Sequence, residues 1–311
     1  MNENTPPLEL PFANGSWRLA IGLKPLALAD WIQIGEDHVE QLQVKQQLLR
    51  DRPTEVFASL PGSATAQQEV LDLLIPHLLH YFPQHYQQQG DRIINRQTEQ
   101  HWRIADFAAN PLDLAGRLVQ EDLCVMLPSD RGYLLSAASV CFPSRWRLHE
   151  KLGKPTTQIH QPIPGYAEKL AHPVDQFFDR LKPDYPVYRL NWSIADSPDL
   201  FLVEGSSALN PEITAENAGD RLWVRVERQT LRRLPSNGIL FTIRTHRYSV
   251  SEIVADPQVA QGLADAIKAM PTAMQRYKSL ISIQPALLAY LDRRATGEMG
   301  SGLSVSDTQV K

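Results

Sequence analysis

The stretch LWVRVERQTLRRL, Leu222 to Leu234, then PSNG over 235–238, then ILFTIRTHRY, Ile239 to Tyr248, decides the fold class. Two β-prone runs flank a segment ending in Asn-Gly, a strong hairpin signal because both residues accept the left-handed backbone angles that tight turns need. Pairing Leu234 with Ile239 sets Glu227 against His246 and Gln229 against Arg244, and brings Arg225 near Tyr248. These residues make a continuous polar face, while Val224, Val226 and Ile243 take the other. Such a stripe is either the wet side of an antiparallel sheet or the lining of a pocket, and the hairpin alone leaves both readings open.

Working outward, Pro186 to Ile194 alternates in the same way, with Tyr188, Leu190, Trp192 and Ile194 on one side and Arg189, Asn191 and Ser193 on the other. Leu118–Leu127 and Tyr133–Phe142 read as a second hairpin across a polar turn. The sheet therefore has at least five strands and leans antiparallel. Helical spacing governs Ala66 to Phe82, where Val70, Leu73, Leu74, Leu78 and Tyr81 recur, Thr65 and Gln68 offer a capping box, and Pro76 predicts a kink or division. It returns after Asp256-Pro257, an N-cap followed by proline at the first helical position, and Pro271 and Pro285 open further helices. With no internal repeat and no central linker, residues 1–295 are expected to form one α+β domain, and the Gly, Ser and Thr-rich run 296–311 a disordered tail.

Composition narrows the function classes. With 43% hydrophobic and 21% charged residues the chain is an ordinary globular sequence, and a net charge of -4 gives no electrostatic reason to expect nucleic acid. No run approaches the roughly 20 apolar residues of a membrane helix, and Met1 to Leu10 lacks the basic-then-apolar pattern of a leader, so no membrane partner and a cytoplasmic location are expected. The two cysteines, Cys124 and Cys141, form no Cys-x-x-Cys pair, which excludes a thiolate-held iron–sulfur cluster or zinc in this chain. The second hairpin would place Cys124 near Ala137 and Cys141 near Gln120, so both read as buried small hydrophobes rather than a disulfide. His77 and His80 read as boundary histidines of a helix. His160 differs: it precedes two closely spaced prolines in IHQPIPGY (159–166), which could hold its imidazole in a fixed direction for a metal, although a structural loop histidine is the commoner role. No Gly-rich phosphate loop or Gly-x-Ser-x-Gly elbow competes with it.

Several unusual blocks then occur in one order: LVQEDLC (118–124), CFPSRW (141–146), EKLG (150–153), HQPIP (160–164), RLNWS (189–193) and RVERQTL (225–231). Together they resemble the haem-dependent oxidative N-demethylase family over roughly Trp17 to Leu291. The resemblance implies a PAS-like antiparallel sheet with flanking helices enclosing a haem pocket. It further implies heme b, a proximal histidine, and an arginine and a glutamate on the distal side. Carried over by position, Arg189 matches the arginine and Glu227 the glutamate. His160 is taken as the iron ligand with His149 the alternative, and Arg225, Arg244 and His246 as further cofactor-binding candidates. An arginine can donate hydrogen bonds where negative charge develops on dioxygen, and a glutamate can anchor an alkylammonium or take its proton. The implied reaction is oxidation of a small secondary amine such as dimethylamine by dioxygen, releasing formaldehyde. Lacking a Rossmann fingerprint and cluster cysteines, the chain would draw electrons from a separate flavin or iron–sulfur reductase. A haem-binding PAS-type sensor or gas-binding protein without turnover, and a non-haem small-molecule binder, are the alternatives.

Overall fold

The alternating segments become strands in the computed structural model, which describes residues 9–203 and 212–297. The strands among these residues are β1 (Lys24–Pro25), β2 (Phe57–Ser59), β3 (Tyr86–Gln89), β4 (Arg92–Asn95), β5 (Gln100–Arg103), β6 (Asp122–Ser129), β7 (Gly132–Ser139), β8 (Val187–Ala195), β9 (Trp223–Arg233) and β10 (Ile239–Ser249). Seven of them form a sheet of order β1-β8-β9-β10-β6-β7-β2, antiparallel at every pairing, and β3-β4-β5 form a small second sheet. The large sheet exceeds the expected minimum of five strands because its edge strands β1 and β2 span only 2 and 3 residues, too short to show a period.

The helices that matter for packing are α1 (His38–Asp51), α2 (Ala64–Tyr81), α3 (Pro111–Leu118), α4 (Ala171–Arg180), α5 (Pro257–Ala269), α6 (Thr272–Tyr277) and α7 (Gln284–Thr296). Helix α2 starts at Ser63 rather than at a Thr65 cap, with Gln67 Nε2 donating to Ser63 Oγ at 3.0 Å. It also runs unbroken through Pro76, whose ring lies on the exposed face, where water can take the carbonyl that proline leaves unpaired. His77 packs edge-on against Trp31 at 4.9 Å, and His80 is exposed. Helix α5 begins as expected, the Asp256 carboxylate accepting from Gln258 N at 2.8 Å. Helix α7 continues to Thr296, two residues beyond Arg294, and the rest of the expected tail, 298–311, lies outside the described residues.

The main hairpin departs from the expected register by one residue. Arg233, not Leu234, pairs with Ile239, so Glu227 faces Thr245, Gln229 faces Ile243 and Arg225 faces Arg247. The connection holds five residues, Leu234 to Gly238, closed by Leu234 N to Gly238 O at 2.8 Å and Asn237 N to Leu234 O at 3.0 Å, with Asn237 left-handed at φ 64°. Leu234 leaves the ladder because it is fully buried among the side chains of the helical core. In the second hairpin the expected register holds from the turn to Met126 opposite Leu135. It then shifts, so that Cys124 faces Ala138. The extra residue at this bulge is Ser136, whose hydroxyl turns back to Leu134 O at 3.0 Å. Both cysteines are free and buried.

Because directly paired residues share a face, the corrected register divides the sheet cleanly. Even-numbered side chains of β8, β9 and β10 form a packed face. At one end Trp192, Ile194, Val224 and Val226 join Leu263 and Ile267 of α5 and Leu287 of α7. At the other end Leu240 joins Leu71, Leu74 and Leu78 of α2 and Leu112 of α3. Odd-numbered side chains form the second face, and among the described residues a buried apolar cluster covers it where Leu231, Ile239, Cys124 and Met126 meet Phe178 of α4. The middle of this second face stays half open.

Candidate functional site

The half-open face carries a mixed lining. Arg189, Asn191, Glu227 and Gln229 form a half-buried polar patch across β8 and β9, and Val187, Phe241 and Ile243 form a half-buried apolar patch beside it. Half-exposed apolar side chains on an inward sheet face, next to convergent polar groups, are a surface on which a ligand could pack. The segment between β7 and β8 folds back over this face, and its Trp146, Leu152 and Ile159 pack against the same core as Phe241 and Val187.

That segment also delivers His160. A one-turn helix, Thr156–Ile159, ends at His160, whose Nδ1 lies 2.8 Å from Thr156 O. A carbonyl accepts only, so Nδ1 carries the proton and Nε2 keeps its lone pair. Among the described residues nothing engages Nε2. Burial above all, with lesser contributions from the cations Lys151 and Arg189, lowers the imidazole pKa to about 4, so the ring is neutral and able to ligate at neutral pH. The ring stacks on Tyr166 at 4.7 Å. Tyr166 follows Gly165, whose φ of 77° turns the chain back over the sheet.

Arg189 faces the same space. Burial lowers its guanidinium pKa, opposed by Glu227 and then by the Tyr166 hydroxyl, so these groups sense one another's charge. Its Nε and the Tyr166 hydroxyl are both buried without a hydrogen-bond partner among the described residues. Unpaired buried polar atoms are costly, and Arg225 Nε, on the neighbouring strand, is in the same state. Glu227 accepts from Asn191 Nδ2 at 3.2 Å and from Gln229 Nε2 at 2.9 Å, both on Oε2. Its Oε1 has no partner among the described residues. Two further groups at the end of α6 sense the charge of the carboxylate: Tyr277, whose hydroxyl pKa is raised by burial and then by Glu227, and Lys278, lowered to about 8 by burial with Glu227 opposing.

The structure thus brings His160, Arg189 and Glu227 to one face and separates them from the other candidates. Arg225 lies on that face but is fully buried, and its two terminal nitrogens bond the carbonyls of Asp199 (2.8 Å), Phe142 (3.1 Å), Pro143 (3.3 Å) and Leu200 (3.2 Å), with Nε left without a partner among the described residues. Arg244 and His246, expected beside Glu227, are on the packed face, because the one-residue shift flips their side of the hairpin. There Arg244 bonds Gln41 Oε1 at 2.7 Å and Asp37 Oδ1 at 2.8 Å, and His246 lies 3.1 Å from Gln33 Oε1, tying the segment before α1 to the sheet. His149 is exposed on a separate helical turn, Leu148–Lys151.

Tyr166, Asn191, Gln229, Tyr277 and Lys278 were not singled out from sequence. Asn191 and Gln229 were legible as alternation partners of Arg189 and Glu227. The other three arrive from loops and a helix end, where no period signals which way a side chain faces. Among the described residues no group of three or more His, Cys, Asp or Glu could hold a bare metal ion. A single imidazole backed by a carbonyl, over an apolar surface and with unpartnered polar atoms at its margin, suits an iron whose remaining ligands come from a macrocycle. A family model described as haem-dependent oxidative N-demethylase, alpha subunit-like, matches residues 22–288, and the chain belongs to that family.

Proposed function

We propose that the chain holds a b-type haem in a PAS-like pocket against the half-open face, where His160 Nε2 would bind its iron, and oxidises a small N-methyl secondary amine to release formaldehyde. The observation that carries this is the convergence of His160, Arg189 and Glu227, from three separate stretches, on a sheet face whose middle is half-buried among the described residues. When bound, the haem supplies the electron-transfer and dioxygen chemistry that amino-acid side chains lack.

The chain's own groups divide the remaining work. Thr156 O fixes the tautomer and direction of His160. Arg189 keeps its charge and presents an unpartnered Nε where negative charge can be stabilised without prior rearrangement. Asn191 and Gln229 saturate one oxygen of Glu227, leaving Oε1 to receive an amine N–H and to take its proton. Cys124 and Cys141 are buried and separate, which suits electron supply by a separate flavin or iron–sulfur reductase, as does a family described by its alpha subunit.

Reconstitution of the purified chain with haem, followed by reductant, dioxygen and dimethylamine, tests this directly. A Soret band and formaldehyde stoichiometric with amine consumed are expected. Absence of any Soret band sinks the proposal, and a Soret band without formaldehyde from any N-methyl amine leaves a haem-binding sensor in its place.

A further inference from the structure

Resting on that reading of the pocket, we infer that Lys278 and Arg189 form a carboxylate-binding pair facing Glu227. Lys278 closes helix α6 and is followed by Ser279 in the left-handed region at φ 57°. Leu280 N bonds Gln275 O at 2.8 Å and Ser279 N bonds Arg276 O at 3.0 Å, the two bonds of a Schellman stop. That stop normally uses glycine, so a serine there strains the backbone in order to hold this turn. The turn aims Lys278 at the free edge of β8, where Nζ donates to Trp192 O. One of its three N–H groups is thereby used and two are left.

The charges around this point do not cancel. Lys278 senses Glu227 as an attractive charge and Arg189 as a repulsive one, and Arg225 senses Glu227 too, so more than one cation shares this carboxylate. Of the neighbouring arginines, Arg145 pairs with Asp196 at 3.0 Å, whereas Arg225 has its terminal nitrogens on neutral carbonyls, which leave its charge in place. Packing two cations against a single anion in a half-buried site is unfavourable unless a second anion arrives. A carboxylate meets the need, since it can accept from Arg189 Nε and the spare Lys278 hydrogens together. Its source is either the substrate, which would then be an N-methyl amino acid with its amine on Glu227, or a haem propionate.

The haem-loaded full chain should be titrated with dimethylamine and with N-methylglycine, following haem absorbance, as wild type, Lys278→Met and Lys278→Arg. If the substrate supplies the carboxylate, wild type binds N-methylglycine about 10-fold more tightly than dimethylamine. Lys278→Met erases that preference and Lys278→Arg keeps it. If a propionate supplies it, the two amines bind alike, and Lys278→Met alone speeds haem loss to apomyoglobin by about 10-fold. Unchanged amine preference and unchanged haem loss in Lys278→Met, with an unchanged circular dichroism spectrum, overturn the inference. Should the chain take up no haem, the proposed function fails but the pair is still testable. A melting-temperature rise with N-methylglycine and not with dimethylamine, lost in Lys278→Met, supports it, and no rise overturns it.

Discussion

At the scale of single residues, one hydrogen bond sets the His160 tautomer that its proposed role needs. With Nδ1 committed to Thr156 O, the ring can offer only Nε2, and it does so in a neutral form. His160→Ala should therefore remove the axial-ligand signature from the haem spectrum, and added imidazole should restore it by filling the space left behind. His149→Ala should leave the spectrum unchanged, and the reverse pattern would assign the ligand to the wrong histidine. Glu227→Gln keeps the shape of the patch and removes its negative charge, so amine affinity should fall about 10-fold or more with haem content unaltered, as read by the same titration. Much of this was legible in the sequence: alternation in 186–194 put Arg189 and Asn191 on one side, and the side was correct. Lys278 was not legible, because its direction depends on a left-handed serine after it, and serine carries no signal for that conformation.

At the scale of elements, a single residue in a turn decides which polar groups meet. The sequence reading assumed a four-residue connection of Pro235 to Gly238. The five-residue connection moves Arg244 and His246 to the packed face and leaves Glu227 with Asn191 and Gln229. Leu234 decides it, since its burial in the helical core outweighs one more ladder pair, and no local pattern reveals that competition. Asn237 holds the left-handed position at the turn, so Asn237→Val should cost roughly 1–2 kcal/mol in urea denaturation, while Asn237→Gly should be near neutral. The start of α5 was fully legible, because capping is a local interaction: Asp256→Ala should cost about 1 kcal/mol by the same measurement.

At the scale of the whole molecule, covering the packed face twice buries polar groups that then govern stability against pH. His38 lies under β3 and β4, with Nδ1 3.2 Å from Gln120 Oε1 and Nε2 3.3 Å from both Tyr86 Oη and Asn95 Nδ2, and burial lowers it to about 4, opposed chiefly by the hydrogen bond to Gln120. His77, packed on Trp31, is also lowered to about 4 by burial, reinforced by Arg232 and His80. Unfolded, each titrates near 6.5. Between about pH 6.5 and 4 the unfolded chain therefore binds protons that the folded chain refuses, and folding stability falls as pH falls through that window. Two buried carboxyls act in the opposite sense. Asp122 is raised to about 6 by burial, although Lys45 and the Cys141 and Phe142 amides oppose the shift, and Glu121 is raised by burial too. Folded, these groups take up protons before the unfolded chain does, so they offset part of the loss below pH 6. His160 and His246, also lowered by burial, add to the loss, so urea unfolding of the haem-free protein should show stability dropping as pH falls from 7 to 5, with the carboxyls offsetting only part of it. His77→Phe keeps an aromatic ring against Trp31 and cannot titrate, so it should flatten the pH 7 to 5 slope by up to about 1.4 kcal/mol per pH unit. An unaltered slope in that variant would mean that His77 is protonated in the folded protein, and that the core around α2 admits more water than its packing implies.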